Sequence, residues 1–298
     1  MTDLAVIIVN FNTKALLLKA LASVYQQKVS FDLKVIVVDN ASSDDSVKAT
    51  KKEFPQVELI ESPRNVGFAA GNNLALAKVK AGHFLLLNSD TIVLPDCLEL
   101  LMTVAKTDQY ALLSCKLLNE DHSLQPNAGF LPTPGPLFLW LSGIDDLLGL
   151  LGISSASYHL QKPAFYRGTH EVGWVAGTAL LISSEVLSKI GALDGSIFMY
   201  AEDVEYCWRA REAGFKVGFT DQAQIIHLGG GSSPAPKLNQ WKGEFKGLLY
   251  LYSKFYGKLA GDILRVLMYI FIALRMIVFF LLGKKEFSKT YAQVIRYI

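Results

Sequence analysis

An open α/β sheet is the fold class that this sequence predicts. Three observations predict it: apolar runs of strand length, helical spacing between them, and short polar motifs closing the runs. Residues 4–9 (LAVIIV) form an unbroken apolar run, as a parallel strand buried on both faces requires. Residues 13–27 place Leu17, Leu21 and Val24 on one side of a helix. A second apolar run, 33–38, closes on Asp39-Asn40, and Ser43, Asp44 and Asp45 offer N-cap oxygens to a helix over 45–53. Residues 57–61 read as a third strand. Gly71-Asn72-Asn73 opens a helix to about residue 80, and 84–87 (FLLL) is the fourth strand.

Beyond residue 100 the pattern loosens. Residues 126–160 hold four prolines, the apolar patch 137–141 (LFLWL) and Asp145-Asp146. Two readings stand open for this stretch: an insertion with a short amphipathic helix covering an acceptor, or ordinary core packing. From Trp174 order returns, with a strand over 179–182, a helix over 184–190 ended by Gly191, and a helix over 202–213 ended by Gly214. Two short strands, 217–219 and 224–227, follow.

Charge divides the 298 residues at about position 236. Residues 1–236 carry 18 Lys/Arg against 24 Asp/Glu, whereas 237–298 carry 11 against 3. The expected organisation is therefore a catalytic domain over 1–236 and a basic, aromatic-rich helical tail over 237–298. A basic segment beside a long apolar stretch points to an anionic membrane surface and away from nucleic acid. Three widely spaced cysteines among apolar neighbours read as reduced thiols, with neither a disulfide framework nor a zinc site.

Ligands of open parallel sheets bind beyond the carboxyl ends of the strands. Three polar motifs fall at such ends: Asn10-Phe11-Asn12, Asp39-Asn40-Ala41-Ser42 and Asn88-Ser89-Asp90. Singly each is turn chemistry; three along one edge make a nucleotide site, with Asp39 a hydrogen-bond acceptor for base or ribose. A carboxylate at a strand end, Asp90, is placed to hold a divalent metal against a diphosphate. Residues 64–73 (RNVGFAAGNN) supply small residues and a helix N-terminus for an anion, without the Gly-Lys-Ser/Thr of a Walker loop. Glu202-Asp203 supplies a second acidic site, able to take a proton from a nucleophile. On the helix that follows, Arg209 has two open uses: an ion pair with Glu205, or a contact to a diphosphate. His227, before Gly229-Gly230-Gly231-Ser232-Ser233, is either structural or a metal ligand, and the glycines suit a loop that closes over nucleotide.

Taken in order, 9–12 (VNFN), 38–42 (VDNAS), 64–68 (RNVGF), 88–90 (NSD), 177–179 (GTA) and Glu202-Asp203 resemble the motifs of family 2 glycosyltransferases, in particular rhamnosyltransferase-like enzymes of surface polysaccharide assembly. The likeness covers roughly residues 3–233. It implies a GT-A fold, the nucleotide-diphospho-sugar transferase fold with a mixed, mostly parallel central sheet, and inverting transfer assisted by Mg2+ or Mn2+. Position by position, Asp39 resembles the nucleotide-binding aspartate. Asn10, Asn65 and Gly71 would line the donor pocket, Asn88 and Asp90 would stand at the ends of the DXD-type motif, and Asp90 would hold the metal; the residues themselves add Asn12, Ser89 and Arg209 as donor-site candidates and His227 as a metal-site candidate. Glu202-Asp203 resembles the catalytic pair, with Asp203 the base. Asn88 stands where the family's DXD-type motif has aspartate, removing one negative charge from the metal site.

By the same resemblance the donor is a nucleoside-diphosphate sugar, deoxythymidine diphosphate-rhamnose (dTDP-rhamnose) first, and the acceptor a saccharide or lipid-linked saccharide. Two rivals are a nucleotidyltransferase, which should show a basic Gly-rich loop near the N-terminus, and a non-catalytic membrane scaffold, against which the intact Glu202-Asp203 speaks.

In the tail, aromatic and leucine residues at helical spacing over 241–259 alternate with lysines, the pattern of a surface-bound helix. Residues 263–282 are long enough to span a bilayer. Arg275 near their middle costs about 2.5–3.5 kcal/mol, however, against roughly 0.3–0.6 kcal/mol returned by each Leu, Ile, Phe or Val. Twelve such residues lie between 266 and 282, so the sum is near break-even. The expectation is a peripheral or monotopic helix on the cytoplasmic face of the inner membrane.

Overall fold

The computed structural model describes residues 2–229 and 238–298. In chain order the elements are β1 (Thr2–Asn10), α1 (Lys14–Tyr25), β2 (Leu33–Asp39), α2 (Ser46–Glu53), β3 (Glu58–Glu61), α3 (Gly67–Leu76), β4 (Ala81–Asn88), β5 (Thr91–Val93), α4 (Cys97–Thr107), β6 (Leu112–Leu118), β7 (Leu124–Gln125) and β8 (Ala128–Gly129). Then come α5 (Pro134–Ser142), α6 (Ile144–Leu150), β9 (Thr169–Glu171), β10 (Trp174–Val175), β11 (Ala179–Ser183), α7 (Ser184–Ile190), α8 (Glu202–Glu212), β12 (Val217–His227), α9 (Leu238–Tyr256), α10 (Lys258–Leu281) and α11 (Lys285–Val294).

The chain forms two compact units interleaved in sequence. The first takes residues 2–129, 159–198 and 202–229; the second takes 130–158, 199–201 and 238–298. The apolar patch at 137–141 thus clusters with the C-terminal helices, a grouping its sequence does not announce.

The first unit is built on a sheet of order β3-β2-β1-β4-β11-β6-β12-β5. Strands β3, β2, β1 and β4 run parallel, so their carboxyl ends share one edge. β11 enters antiparallel between β4 and β6, and β6 pairs with β12 in parallel. This is a mixed, mostly parallel sheet. Leu4 to Ile8 are fully buried, as expected of a strand covered on both faces. On one face α1 buries Leu17, Leu21 and Val24, and α4 buries Leu98, Leu101 and Met102.

Some local expectations change. The two strands expected over 217–227 are one strand, β12, whose register slips between Thr220 and Gln224. Asp45 precedes α2 but its side chain makes no cap bond. Asp44 instead accepts from the Ser46 N–H and hydroxyl and from the Lys14 N–H, and its carboxyl lies below the ordinary range: these bonds outweigh the largest single influence, burial, which raises it. Strand β6, with Ser114, Cys115 and Lys116 breaking its apolar run, had no clear sequence signal.

The second unit is helical. α9 buries Phe245, Leu248, Leu251 and Tyr252 along one face, and α10 buries Gly261, Leu264, Met268 and Ile272 along another. Trp140 packs with Tyr158, Trp241 and Phe245, and Trp241 meets Tyr291 edge-on. The expected single helix over 241–259 breaks at Gly257, whose φ of 88° suits glycine. Among the described residues, Lys258–Leu281 is one helix long and apolar enough to cross a membrane.

Arg275 does not face outward from it. Its guanidinium donates to the carbonyls of Trp140 and Leu141 and to the Tyr291 hydroxyl, and it lies over the Trp140 ring. The desolvation cost assigned to Arg275 is therefore offset inside the unit. The outer side of the helix keeps Ile263, Val266, Ile270, Leu274, Ile277 and Leu281 exposed.

Candidate functional site at the strand ends

The carboxyl ends of β1, β2 and β4 meet through a chain of hydrogen bonds. Asn10, fully buried, donates from Nδ2 to Asp39 Oδ1 and Ser42 Oγ, each at 3.0 Å. Its Oδ1 accepts from the Thr13 hydroxyl at 2.6 Å, and Thr13 shares a 2.9 Å hydroxyl pair with Ser89. Asp39 Oδ2 accepts the Ser42 N–H at 2.9 Å. A buried polar network is stable only when its members satisfy one another, and here the network ties three strand ends into one platform. Asn12 Oδ1 accepts the Ser43 N–H, and its own N–H donates to Ser42 Oγ. Asn12 and Ala41 both carry positive φ, 53° and 64°, the kind of strained backbone that gathers at functional sites.

A second cluster surrounds Asp203. Its Oδ2 accepts the Gly177 N–H and its Oδ1 the Val204 N–H, both at 2.8 Å. A Cβ added at Gly177 would press on the Phe68 ring at 3.1 Å and lie 3.6 Å from Asp203 Cβ. Phe68 N–H donates to the Phe198 carbonyl. Asn65 Oδ1 accepts the Gly67 N–H, and Asn40 Nδ2 donates to the Gly67 carbonyl. Gly67 has φ of 85°, and any Cβ there would collide with the Phe198 carbonyl. Gly71, expected in the donor pocket, is buried with its Cα toward Val9 and Asn40. The lack of a Cβ lets α3 approach β1 closely.

Glu202 is only 5 % exposed, and its Oε2 has no hydrogen-bond partner. Burial, and then the neighbouring Asp203 carboxylate, push its carboxyl up to about 8. Both influences favour the protonated form of Glu202, while Asp203 is half-buried and accepts two backbone N–H bonds. These are two carboxyl groups in contrasting environments.

The third cluster joins Asp90 to the end of β12. His227 Nε2 lies 3.2 Å from Asp90 Oδ1, and His227 Nδ1 lies 2.6 Å from Gln125 Oε1. An amide oxygen only accepts, so Nδ1 carries a proton. In the neutral ring, Nε2 then turns its lone pair toward a carboxylate oxygen. In that form two acceptors face each other, an arrangement that a divalent cation would bridge. Among the described residues no group of three or more His, Cys, Asp and Glu side chains surrounds such a position; further ligands would be water or substrate oxygens. The Leu228 N–H donates to the Asp90 carbonyl at 2.8 Å, and a Cβ at Gly229 would collide with Asp90 Oδ2. The expected closing loop beyond Gly229 lies outside the described residues.

The three clusters connect. Asn88 N–H donates to the Thr178 carbonyl at 2.9 Å, while the neighbouring Gly177 holds Asp203. Two consecutive residues before β11 thus link Asn88, two residues from Asp90, with Asp203. Arg209 is not brought in. Its guanidinium pairs with Glu205 and donates to the carbonyls of Ile190 and Ala192, so four of its five N–H donors go to its own helix and the end of α7. Of its two open uses, the structural one is observed. Thr13 and Gln125 were missed from sequence: a lone Thr after a strand is ordinary, and Gln125 lies 102 residues from the histidine it orients.

Comparison with known proteins gives this geometry a setting. The model described as Glycosyl transferase family 2 matches residues 5–128, and that described as Glycosyl transferase family group 2 matches residues 83–283. The chain is 29 % identical over 230 residues to the low-salt glycan biosynthesis hexosyltransferase Agl10 of Haloferax volcanii, covering 76 % of this chain and 67 % of that one. It is 25 % identical over 208 residues to the N-acetylglucosaminyl-diphospho-decaprenol L-rhamnosyltransferase of Mycobacterium tuberculosis, covering 65 % of this chain and 66 % of that one. Rhamnosyltransferase WbbL of Escherichia coli is 27 % identical over 203 residues, with 65 % and 72 % covered. Among solved structures, GalNAc-T7 with UDP, GalNAc and Mn2+ superimposes with a TM-score of 0.57 at 16 % identity, over 83 % of this chain and 48 % of that one. At that identity the likeness is one of fold, and the fold is GT-A.

Proposed function

The chain belongs to the family 2 glycosyltransferases, and from that premise we propose that it moves a sugar from a nucleoside diphosphate to a saccharide, with inversion at the anomeric carbon. The observation that carries the reading is the link through Gly177-Thr178, which ties Asp203 to the strand bearing Asp90. In the proposed step the acceptor O–H bond gives its proton to Asp203. The freed oxygen pair forms a bond to the anomeric carbon. The carbon–oxygen bond to the diphosphate breaks on the opposite face, and its electrons leave with the diphosphate.

The two N–H donors on Asp203 keep its oxygens pointed, and the platform of Asn10, Thr13, Asp39, Ser42 and Ser89 lies where a nucleotide would rest. Asp90 and His227 would hold Mg2+ or Mn2+, which when bound neutralises charge on the departing diphosphate. Protonated Glu202 adds no second negative charge beside the base.

The donor we favour is dTDP-rhamnose, and the acceptor a lipid-linked saccharide; relatives named rhamnosyltransferase and acting on a decaprenol-linked sugar support the pairing. The second unit would hold the enzyme at an anionic membrane surface on the cytoplasmic side. It combines an exposed apolar side of α10 with lysines, and Arg275 is withdrawn from that side. The test is transfer from dTDP-rhamnose to a polyprenyl-diphosphate-linked N-acetylglucosamine with Mn2+, then with excess chelator. Transfer that survives exhaustive chelation would remove the metal from the scheme. A screen of other nucleotide sugars that finds a better donor would replace rhamnose.

A further inference from the structure

Between Phe198 and Glu202 the chain leaves the first unit for three residues, then returns to begin α8. Two of the three, Tyr200 and Ala201, sit in succession on left-handed backbone, with φ of 71° and 73°. Side chains with a Cβ rarely adopt that conformation, and two in a row persist only where their surroundings dictate it. Those surroundings are on α9. A Cβ at Gly247 would collide with the Ala201 Cβ and lie 3.2 Å from the Tyr200 carbonyl; a Cβ at Gly243 would collide with the Tyr200 ring. The two glycines stand four apart and so open one notch on one helix face. Glycine inside a helix weakens it, so a close neighbour is the physical return. For Gly261 of α10 that neighbour is Ser253 of α9, an ordinary helix–helix contact. For Gly243 and Gly247 it is the segment that runs directly into Glu202-Asp203.

We propose that Gly243 and Gly247 are positioning residues for the catalytic pair, acting through the left-handed Tyr200-Ala201 segment that they clamp. The inference rests on the reading of Asp203 as the base. The segment is fixed upstream, where the Phe198 carbonyl accepts from Phe68, and downstream, where Asp203 accepts from Gly177. With both ends tied, the notch sets where α8 starts and hence where the Asp203 carboxylate stands. A displacement of about 1 Å at a reacting group costs on the order of a hundredfold in rate.

The test uses full-length protein and three variants: Gly247→Ala, Ala201→Gly and the double variant. Gly247→Ala should lower kcat for dTDP release from dTDP-rhamnose about tenfold or more, with donor KM and dTDP affinity within about twofold. Its Gly177 amide should exchange hydrogen faster as the bond to Asp203 loosens. Ala201→Gly removes the opposing Cβ and suits the positive φ. The double variant should therefore regain kcat to within about threefold and restore Gly177 protection. Should Gly247→Ala fail to fold, the folded double variant carries the test alone, with wild-type kcat and protection supporting the clamp. Unchanged kcat and exchange in a folded Gly247→Ala protein, or a double variant that stays impaired, would overturn it. Full turnover by Asp203→Asn would instead remove the base assignment. Exchange at Gly177 in the glycine variants still reports the clamp in that case, so the two failures read differently.

Discussion

The strand-end edge of the first unit and the outer side of α10 in the second solve opposite problems. At the strand ends, polar side chains are withdrawn from water and satisfied by one another: Asn10 alone makes three side-chain hydrogen bonds at 0 % exposure. Along α10 apolar side chains stay in contact with solvent, with Leu259 at 75 % and Leu281 at 77 % exposed, while the one central charge is turned inward onto two carbonyls. The first surface is pre-organised for a polar ligand. The second leaves apolar surface in water, and under the proposed membrane reading lipid would cover it. The two surfaces thus differ in kind: satisfied polarity in one place, unsatisfied apolarity in the other.

The sharpest way to break the comparison is to remove chemistry from the polar edge and leave its geometry. Asp203→Asn keeps an oxygen to accept one backbone N–H but cannot take a proton. The expected loss in kcat is about 10²–10⁴-fold with donor affinity preserved, measured by steady-state kinetics beside calorimetric binding of dTDP. A loss in affinity with kcat intact would mean that Asp203 binds rather than reacts.

The apolar side is challenged by charge. Leu150, 85 % exposed at the end of α6, and Leu281 on α10 are free of core packing. Burying one leucine side chain contributes about 1.5–3 kcal/mol, so each change to glutamate should lower partition into vesicles containing phosphatidylglycerol by tenfold or more. Flotation with Leu150→Glu, Leu281→Glu and both together measures it. Melting temperature should hardly move. Undiminished flotation of the double variant would leave the exposed side without its proposed lipid.

A smaller effect is expected from within the polar platform. Asn10→Ala strands Thr13, Ser42 and Asp39 together, and a buried unsatisfied group costs about 1–3 kcal/mol. Thermal unfolding should fall by several degrees, and dTDP affinity should fall with it. A variant that loses stability but keeps affinity would make Asn10 a structural tie with no part in the nucleotide site.

Much of this was legible in the chain, for identifiable reasons. Unbroken apolar runs such as 4–9 and 33–38 mark strands buried on both faces, and the polar residues ending them announce the edge where ligands bind. Features were lost where the partner is distant in sequence. Arg275 reads as a costly charge in an apolar helix because its acceptors, the carbonyls of Trp140 and Leu141, lie about 135 residues away. Gln125 says nothing until β7 is folded beside β6 and His227. Arg209 reads equally well as a diphosphate ligand until α7 is seen to end on it. The glycines of α9 read only as helix weaknesses, since left-handed backbone at Tyr200-Ala201 leaves no mark in residue type.

The last test separates two carboxyl groups that are neighbours in sequence. Glu202 is pushed up to about 8 first by burial and then by Asp203, from an ordinary value near 4.5. Between those two pH values the folded protein holds a proton that the unfolded chain has lost. Stability contributed by this group is therefore greatest at the acid end of the interval and declines as pH rises toward 8, beyond which it changes no further. Glu202→Gln, which cannot ionise, should flatten that decline in melting temperature between pH 5 and 8 while leaving kcat at neutral pH nearly unchanged. If kcat falls as far as in Asp203→Asn, the buried carboxyl is the group that moves the proton, and the roles within the pair must be exchanged.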